Sequence, residues 1–415
     1  MRLFPRFSLC AAALLVLAAA MRAPVIRTLP AGPCVPDNGG LRLPDGFCAS
    51  VFASDIGAVR HIAIAPDGAL YAAASAGFLR GGVTVLRDRD GDGTPDERAS
   101  FGPRGVNDVA VHAGYLYLAL EDRVLRYRLT AGRLEPEGDA ETMVSHLPAE
   151  GDHDQKTLAF PGEDVMLVKI GSASNSCQEA NRRERSPGRD PCVELQRHAG
   201  LWRFAAGRPG QRFADGRRWA TGMRNAEAIT VQPGTNAVWA AVHGRDQLGG
   251  NWGYTPEDNA ENPAEELVQV SEGDDIGWPY CYHSNEARKK VLAPEYGGDG
   301  RTVGRCAKAK NAAVAFPGHW APMSLAFYPG ARFGADYAGG LFVTFHGSWN
   351  RAPLPQAGYR VVFVPFMDGK PSGEYRTFAT LEGAPFRAVG LAVGKDGALF
   401  VSADDNRTIW RIVKR

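Results

Sequence analysis

The chain has 415 residues, 44% hydrophobic and 22% charged, and its 47 Lys and Arg balance 46 Asp and Glu to a net charge of +1. That is ordinary globular composition. Near-neutrality excludes a global field for nucleic acid or an anionic membrane, so any strong field must be local.

The N-terminus reads as a targeting segment. MRLFPR is basic, and FSLCAAALLVLAAAM is an apolar stretch that ends in small residues and is too short and Ala-rich for a membrane span. A secretory signal is expected over residues 1–24, cleaved near Ala18-Ala19-Ala20, with an uncleaved anchor as the alternative. The expected location is periplasmic or secreted, and residues 25–415 are expected to form one domain. Cys10 sits too early to be a lipoprotein cysteine. The other six, Cys34, Cys48, Cys177, Cys192, Cys281 and Cys306, fall as three close pairs along the chain. Six cysteines allow fifteen connectivities, and local pairing is expected in an oxidising compartment. No Cys-x-x-Cys occurs, which speaks against zinc, and no Cys-x-x-Cys-His, so no c-type haem is attached to this chain.

An internal repeat follows. HIAIAPDGALYAA (61–73) returns as NDVAVHAGYLYLA (107–119), QKTLAFPGEDVMLV (155–168) and AEAITVQPGTNAVWAA (226–241), then as MSLAFYPG…GGLFVTF (323–345) and VGLAVGKDGALFVS (389–402). Each copy is an alternating apolar strand, a Gly, Pro or Asp turn and a second apolar strand. VTVLRD, RVLRYRL, GLWRFAA, YRVVFVPF and TIWRIVKR read as third strands. Six units of roughly 64 residues predict an all-β chain folded as a six-bladed β-propeller; a pair of β-sandwiches is the competing architecture.

The start of the first strand and the end of the second lie at the same end of a hairpin. Starts therefore gather around one axial mouth: Arg60, Asn107, His153, Arg224, Asn225 and Arg387. Strand exits add His243-Gly244 and His346-Gly347, and the long insertions 172–198, 243–265 and 346–358 should wall the same face. Arginines grouped this way suit a carboxylate or phosphate, although each alone could pair with a blade-edge acid. His153, in GDHDQKTLAF, has the chemistry of a general base. In DRDGDGTPDE (88–97), Asp88, Asp90 and Asp92 alternate before Gly93 like half of a calcium loop. Asp96 and Glu97 could supply further oxygens; a solvated hairpin loop is the plainer reading. Neither a Gly-rich βαβ phosphate loop nor a Gly-x-Ser-x-Gly elbow is present.

GDHDQKTLAF, TGMRNAEAI (221–229), AVHG (241–244), DDIGWPYCYH (274–283), FHGSWNR (345–351) and FRAVGLAVGKDGALFVS make the chain resemble the pyrroloquinoline quinone (PQQ)-dependent glucose/sorbosone dehydrogenases from about residue 41 onward. The resemblance is nearer the sorbosone and pyranose branch. It implies an exported propeller holding PQQ and Ca2+ in its axial mouth. His153 then matches the general base and Arg224 the arginine beside quinone and substrate. Arg60, Asn225, His346, Trp349, Asn350 and Arg387 match or neighbour cofactor-contacting positions, and Gly244 and Arg245 the calcium-binding carbonyls. Arg245 departs from the proline of the glucose enzyme. The implied reaction is oxidation of a sugar (aldose, sugar aldehyde or related polyol), with electrons passed to an external acceptor such as a quinone, cytochrome or dye. Two other functions fit a propeller: a calcium-dependent lactonase, which the Arg-rich, carboxylate-poor strand starts oppose, and a non-catalytic binding module.

Overall fold

The computed structural model describes residues 34–74 and 82–415, so the expected signal at 1–24 lies outside the described residues. Six antiparallel blades are arranged in order around an axis. Blade 1 is Val59–Ile64, Leu70–Ala74, Val83–Arg87 and Glu97–Phe101; blade 2 is Asp108–His112, Tyr115–Ala119, Val124–Arg128 and Glu141–Ser145. Blade 3 is Leu158–Ala159, Val165–Ile170, Gly200–Ala205 and Arg217–Thr221, and blade 4 is Ala228–Val231, Val238–Val242, Glu265–Val270 and Val314–Phe316. Blade 5 is Pro322–Phe327, Leu341–Phe345, Arg360–Val364 and Arg376–Leu381. Blade 6 combines Ala388–Val393, Leu399–Ala403 and Thr408–Lys414 with the N-terminal strand Phe47–Ser54. Every repeated hairpin in the sequence is the inner half of a blade.

The six innermost strands touch their neighbours in a closed circle. Apolar clusters fill the interfaces between blades, for example Phe342, Phe363, Phe378 and Trp410 between blades 5 and 6, and Tyr71, Val85, Val109 and Leu118 between blades 1 and 2. Because strand side chains alternate between two faces and both faces meet another blade, second strands such as Leu70–Ala74 and Val238–Val242 are buried throughout. The ring closes where Phe47 pairs with Lys414 and Ser54 with Thr408, beside a second N-terminal pairing of Leu41 with Leu381 on blade 5. All three expected disulfides are present: Cys34–Cys48, Cys177–Cys192 and Cys281–Cys306.

Two short helices, Leu248–Trp252 and Pro256–Glu261, lie in the 243–265 insertion. Pro256 opens the second, and Thr255 caps it by accepting from Asp258 N. A further insertion, 271–313, carries the hairpin Cys281–Ser284/Lys289–Leu292 and joins the same wall. Its fully buried Glu295 accepts from Ser176 Oγ, Trp252 Nε1 and Arg245 Nη1, fastening three insertions together. No helix among the described residues is long and apolar enough to cross a membrane.

Candidate active site

His153 stands just before the inner strand of blade 3. Its Nδ1 is 3.0 Å from both the carbonyl oxygen and Oγ of Ser172. A carbonyl can only accept, so Nδ1 carries the ring hydrogen and Nε2 keeps its lone pair. Ser172 Oγ spends its own hydrogen on Ser174 O at 2.6 Å. Burial, then the Arg224 guanidinium, hold the imidazolium pKa well below its usual value, so the ring is neutral at neutral pH. Gly171 makes the approach possible: a Cβ there would lie 2.5 Å from His153 Cβ.

Arg224 is buried, with four of its five N–H groups directed at named acceptors. It donates to Asn175 O (3.0 Å), Gly244 O (2.8 Å), Asn175 Oδ1 (3.0 Å) and Asp246 Oδ2 (2.9 Å). Burial raises the Asp246 pKa, but Arg224, His319 and Arg182 overcome this and hold it at about 2. Arg245 turns away from the mouth to pair with Glu295 at 2.7 Å.

The remaining strand starts and exits form a hydrogen-bonded ring that visits all six blades. Arg387 Nη1 donates to His346 Nδ1 (3.0 Å), and His346 Nε2 donates to Asp404 Oδ1 (3.0 Å). Arg60 bonds to Asp404 Oδ2 and to Asn107 Oδ1, both at 3.2 Å. Asn107 Nδ2 reaches Glu227 Oε2 (3.2 Å); Lys169 Nζ donates to Glu227 Oε1 (2.7 Å) and Asn225 Oδ1 (2.8 Å). His243 Nδ1 faces Asn225 Nδ2 at 3.5 Å, and its Nε2 donates to Pro322 O on blade 5 at 2.6 Å. Glycine is required at one seam of this ring, since a Cβ on Gly390 would stand 2.7 Å from Arg60 O.

Acids from outside the strand starts also reach the mouth: Arg60 pairs with Asp404, Arg224 with Asp246 and Arg387 with Asp405. The strand-start rule missed these acids because Asp404 follows a second strand and Asp246 lies in an insertion. Applied to blade 6, the exit rule that points to His243 and His346 would have found Asp404. Lys169 and Glu227 were also missed. Lys169 is a single cation in the otherwise apolar strand Val165–Ile170, which is its only sequence signal.

Arg60 and Arg387 nevertheless keep Nη2 free of protein partners among the described residues, with side chains 18% and 31% exposed. Trp349, on the turn Trp349–Arg351, is 62% exposed. Free guanidinium donors suit the carboxylates of a planar polycarboxylate such as PQQ, and the exposed Trp349 ring offers a flat face. Asn350 differs, being buried in the wall with Nδ2 3.3 Å from His319 Nδ1. The Gly244 carbonyl already accepts from Arg224. A calcium ion there would take the second lone pair of that oxygen and lie close to the guanidinium charge. Far from the mouth, the 88–97 loop converges Asp88, Asp90 and Asp96 within 4.8 Å. Asp92 stands outside this cluster, its Oδ1 accepting from Thr94 N, while Glu97 pairs with Arg87 and Arg89.

The TrAA12-like family model matches residues 41–415. The chain belongs to the TrAA12-like family. Among curated relatives of this TrAA12-like protein, a PQQ-dependent pyranose dehydrogenase of Coprinopsis cinerea is 29% identical over 195 residues, 38% of this chain and 26% of the relative. An uncharacterized Borreliella burgdorferi protein is 26% identical over 201 residues, 46% of this chain. The matches thus span about half of the Borreliella protein (48%) and a quarter of the Coprinopsis one. Two solved structures share the fold. The PQQ domain of Coprinopsis cinerea pyranose dehydrogenase in its holo form has TM-score 0.75 and 19% identity, covering 92% of this chain and 99% of that one. A calcium structure of a Trichoderma reesei family AA12 enzyme has TM-score 0.72 and 20% identity, covering 91% and 97%.

Proposed function

We propose that this protein is an exported PQQ-dependent sugar dehydrogenase working at the axial mouth, with residues 25–415 as its one propeller domain. The observation that carries this reading is His153 Nε2, unprotonated and oriented by Ser172, in the same mouth as the free Nη2 donors of Arg60 and Arg387. Named relatives support the cofactor and the sugar class. Bound PQQ would supply a two-electron acceptor. Arg60 and Arg387 would hold its carboxylates, with Asn225, His346 and Trp349 around the ring and Asn350 bracing the Trp349 turn. Arg224 supplies positive charge beside the reacting oxygen. His153 Nε2 takes the hydroxyl proton of the sugar as the hydrogen on the same carbon leaves as hydride. The carbonyls of Gly244 and Arg245 are the candidate ligands for a calcium ion in the mouth. The Asp88–Asp90–Asp96 loop is a separate candidate for a structural ion.

The substrate class is a sugar: aldose, sugar aldehyde or related polyol. Electrons then pass to an external quinone, cytochrome or dye. Three disulfides support an oxidising compartment, periplasmic or extracellular. The test is to titrate purified protein with PQQ, with and without calcium, and then follow dye reduction across a panel of aldoses and polyols. Saturable quinone absorbance with sugar-dependent reduction is expected. Absence of PQQ binding under all conditions refutes the reading.

A further inference from the structure

Beneath the mouth, Lys169 and Glu227 form an ion pair with side chains only 1% and 4% exposed. Burying two charges is expensive unless each is fully bonded, and these are. Lys169 Nζ directs its three donors to Gln155 O (2.7 Å), Asn225 Oδ1 (2.8 Å) and Glu227 Oε1 (2.7 Å). The second Glu227 oxygen accepts from Asn107 Nδ2 and lies 3.9 Å from His61 Nε2. Asn107 then presents Oδ1 to Arg60 Nε, its other amide hydrogen going to Lys156 O. The bridge therefore joins two sectors of the mouth. On one side are Asn225 and the His153–Gln155 segment. On the other is Arg60, with Asp404, His346 and Arg387 behind it.

Resting on the cofactor reading above, we propose that Glu227, paired with Lys169, is the positioning residue of the cofactor cradle. It acts through Asn107 to fix the Arg60 fork and through Lys169 to fix Asn225, without itself reaching the mouth. The amide of Asn107 can satisfy Arg60 only while its nitrogen faces an acceptor. Glu227 offers two acceptor oxygens, one for Lys169 and one for Asn107. A glutamine offers one, so Glu227→Gln must strand either Lys169 or Asn107. If Asn107 turns over to compensate, its nitrogen meets Arg60 Nε, donor against donor. At metal sites, losing the outer hydrogen-bond partner of a ligand costs roughly ten- to a hundredfold in affinity, and a loss of that order is expected here.

The experiment measures PQQ affinity by absorbance titration of the apoprotein, in wild type, Glu227→Gln, Arg60→Met and the double variant, each with its melting temperature. The expected result is roughly tenfold or more weaker PQQ binding for Glu227→Gln. The losses in the double variant should be less than additive, because both changes remove the same guanidinium placement. Asn107→Ala, which leaves the ion pair intact, should reproduce the loss and guards against a Glu227→Gln protein that does not fold. Additive losses, or unchanged affinity in both Glu227→Gln and Asn107→Ala, overturn the inference. If wild type itself does not bind PQQ, the functional reading fails instead.

Discussion

Replacing His153 by Ala removes one lone pair, Nε2, and little else that holds the cofactor. Nδ1 is committed to Ser172 at 3.0 Å, and the ring shares no hydrogen bond with Arg60, Arg387 or Asn225. A positioned base contributes about two to four orders of magnitude, or ~3–5 kcal/mol of barrier at ~1.4 kcal/mol per decade. Since Ser172 fixes both tautomer and orientation, turnover of His153→Ala should fall by about a thousandfold or more, while PQQ affinity stays within about threefold. The pH dependence is the sharper readout. A base with lowered pKa stays unprotonated into mild acid, so the acid limb of the kcat/KM profile should lie below the usual histidine range and vanish in the variant. Steady-state dye reduction at saturating PQQ, scanned over pH, measures both. Near-normal turnover in the variant, or a wild-type limb at or above the ordinary histidine value, would refute the assignment.

Arg387→Ala should act in the opposite order, weakening PQQ binding by about ten- to a hundredfold through loss of a charge-assisted contact before it touches turnover; equal affinity by absorbance titration would count against the cradle. Burial holds His243 neutral with a pKa of about 4, so the folded protein binds fewer protons there than the unfolded chain. Its stabilising contribution is intact above pH 6.5 and is lost as pH falls toward 4, roughly 3 kcal/mol in all. His243→Gln should then unfold at a lower pH than wild type by circular dichroism, and an unchanged acid midpoint would dismiss the effect. For the acidic loop, Asp90→Ala should lower the melting temperature in calcium and matter little after chelation, and equal losses leave a solvated turn. Cys34→Ser with Cys48→Ser opens a loop of sequence separation 14 and should cost about 3 kcal/mol in denaturant unfolding; a loss below about 1 kcal/mol means the N-terminal strand holds without it.

The inner halves of the blades were legible because both faces of each second strand are apolar and each turn carries Gly, Pro or Asp. Outer strands such as Glu97–Phe101 and Glu141–Ser145 were not. They are half exposed and polar, so they carry no alternation to read. At the mouth, positions fixed by a hairpin end could be found by counting, and His153, Arg60, Arg387 and His346 do converge. Their partners could not, because a charge such as Glu227 acquires its meaning from Lys169, which lies in another blade. The calcium-like spacing did not show which acids of the 88–97 loop cluster: Asp88 and Asp90 meet Asp96, while Asp92 accepts from Thr94 N.

The strand that seals the propeller, Phe47–Ser54, is synthesised long before its partner Thr408–Lys414. Until Thr408–Lys414 is made, Phe47–Ser54 has no neighbour on blade 6, and its edge is open to mispairing. The Cys34–Cys48 link closes locally and can form early, but the Arg60–Asp404 contact spans 344 residues and must wait for both ends. On the cofactor reading proposed above, PQQ loading would have to wait for closure of the ring, and a chain truncated before Asp404 would lack both the clasp and a partner of Arg60.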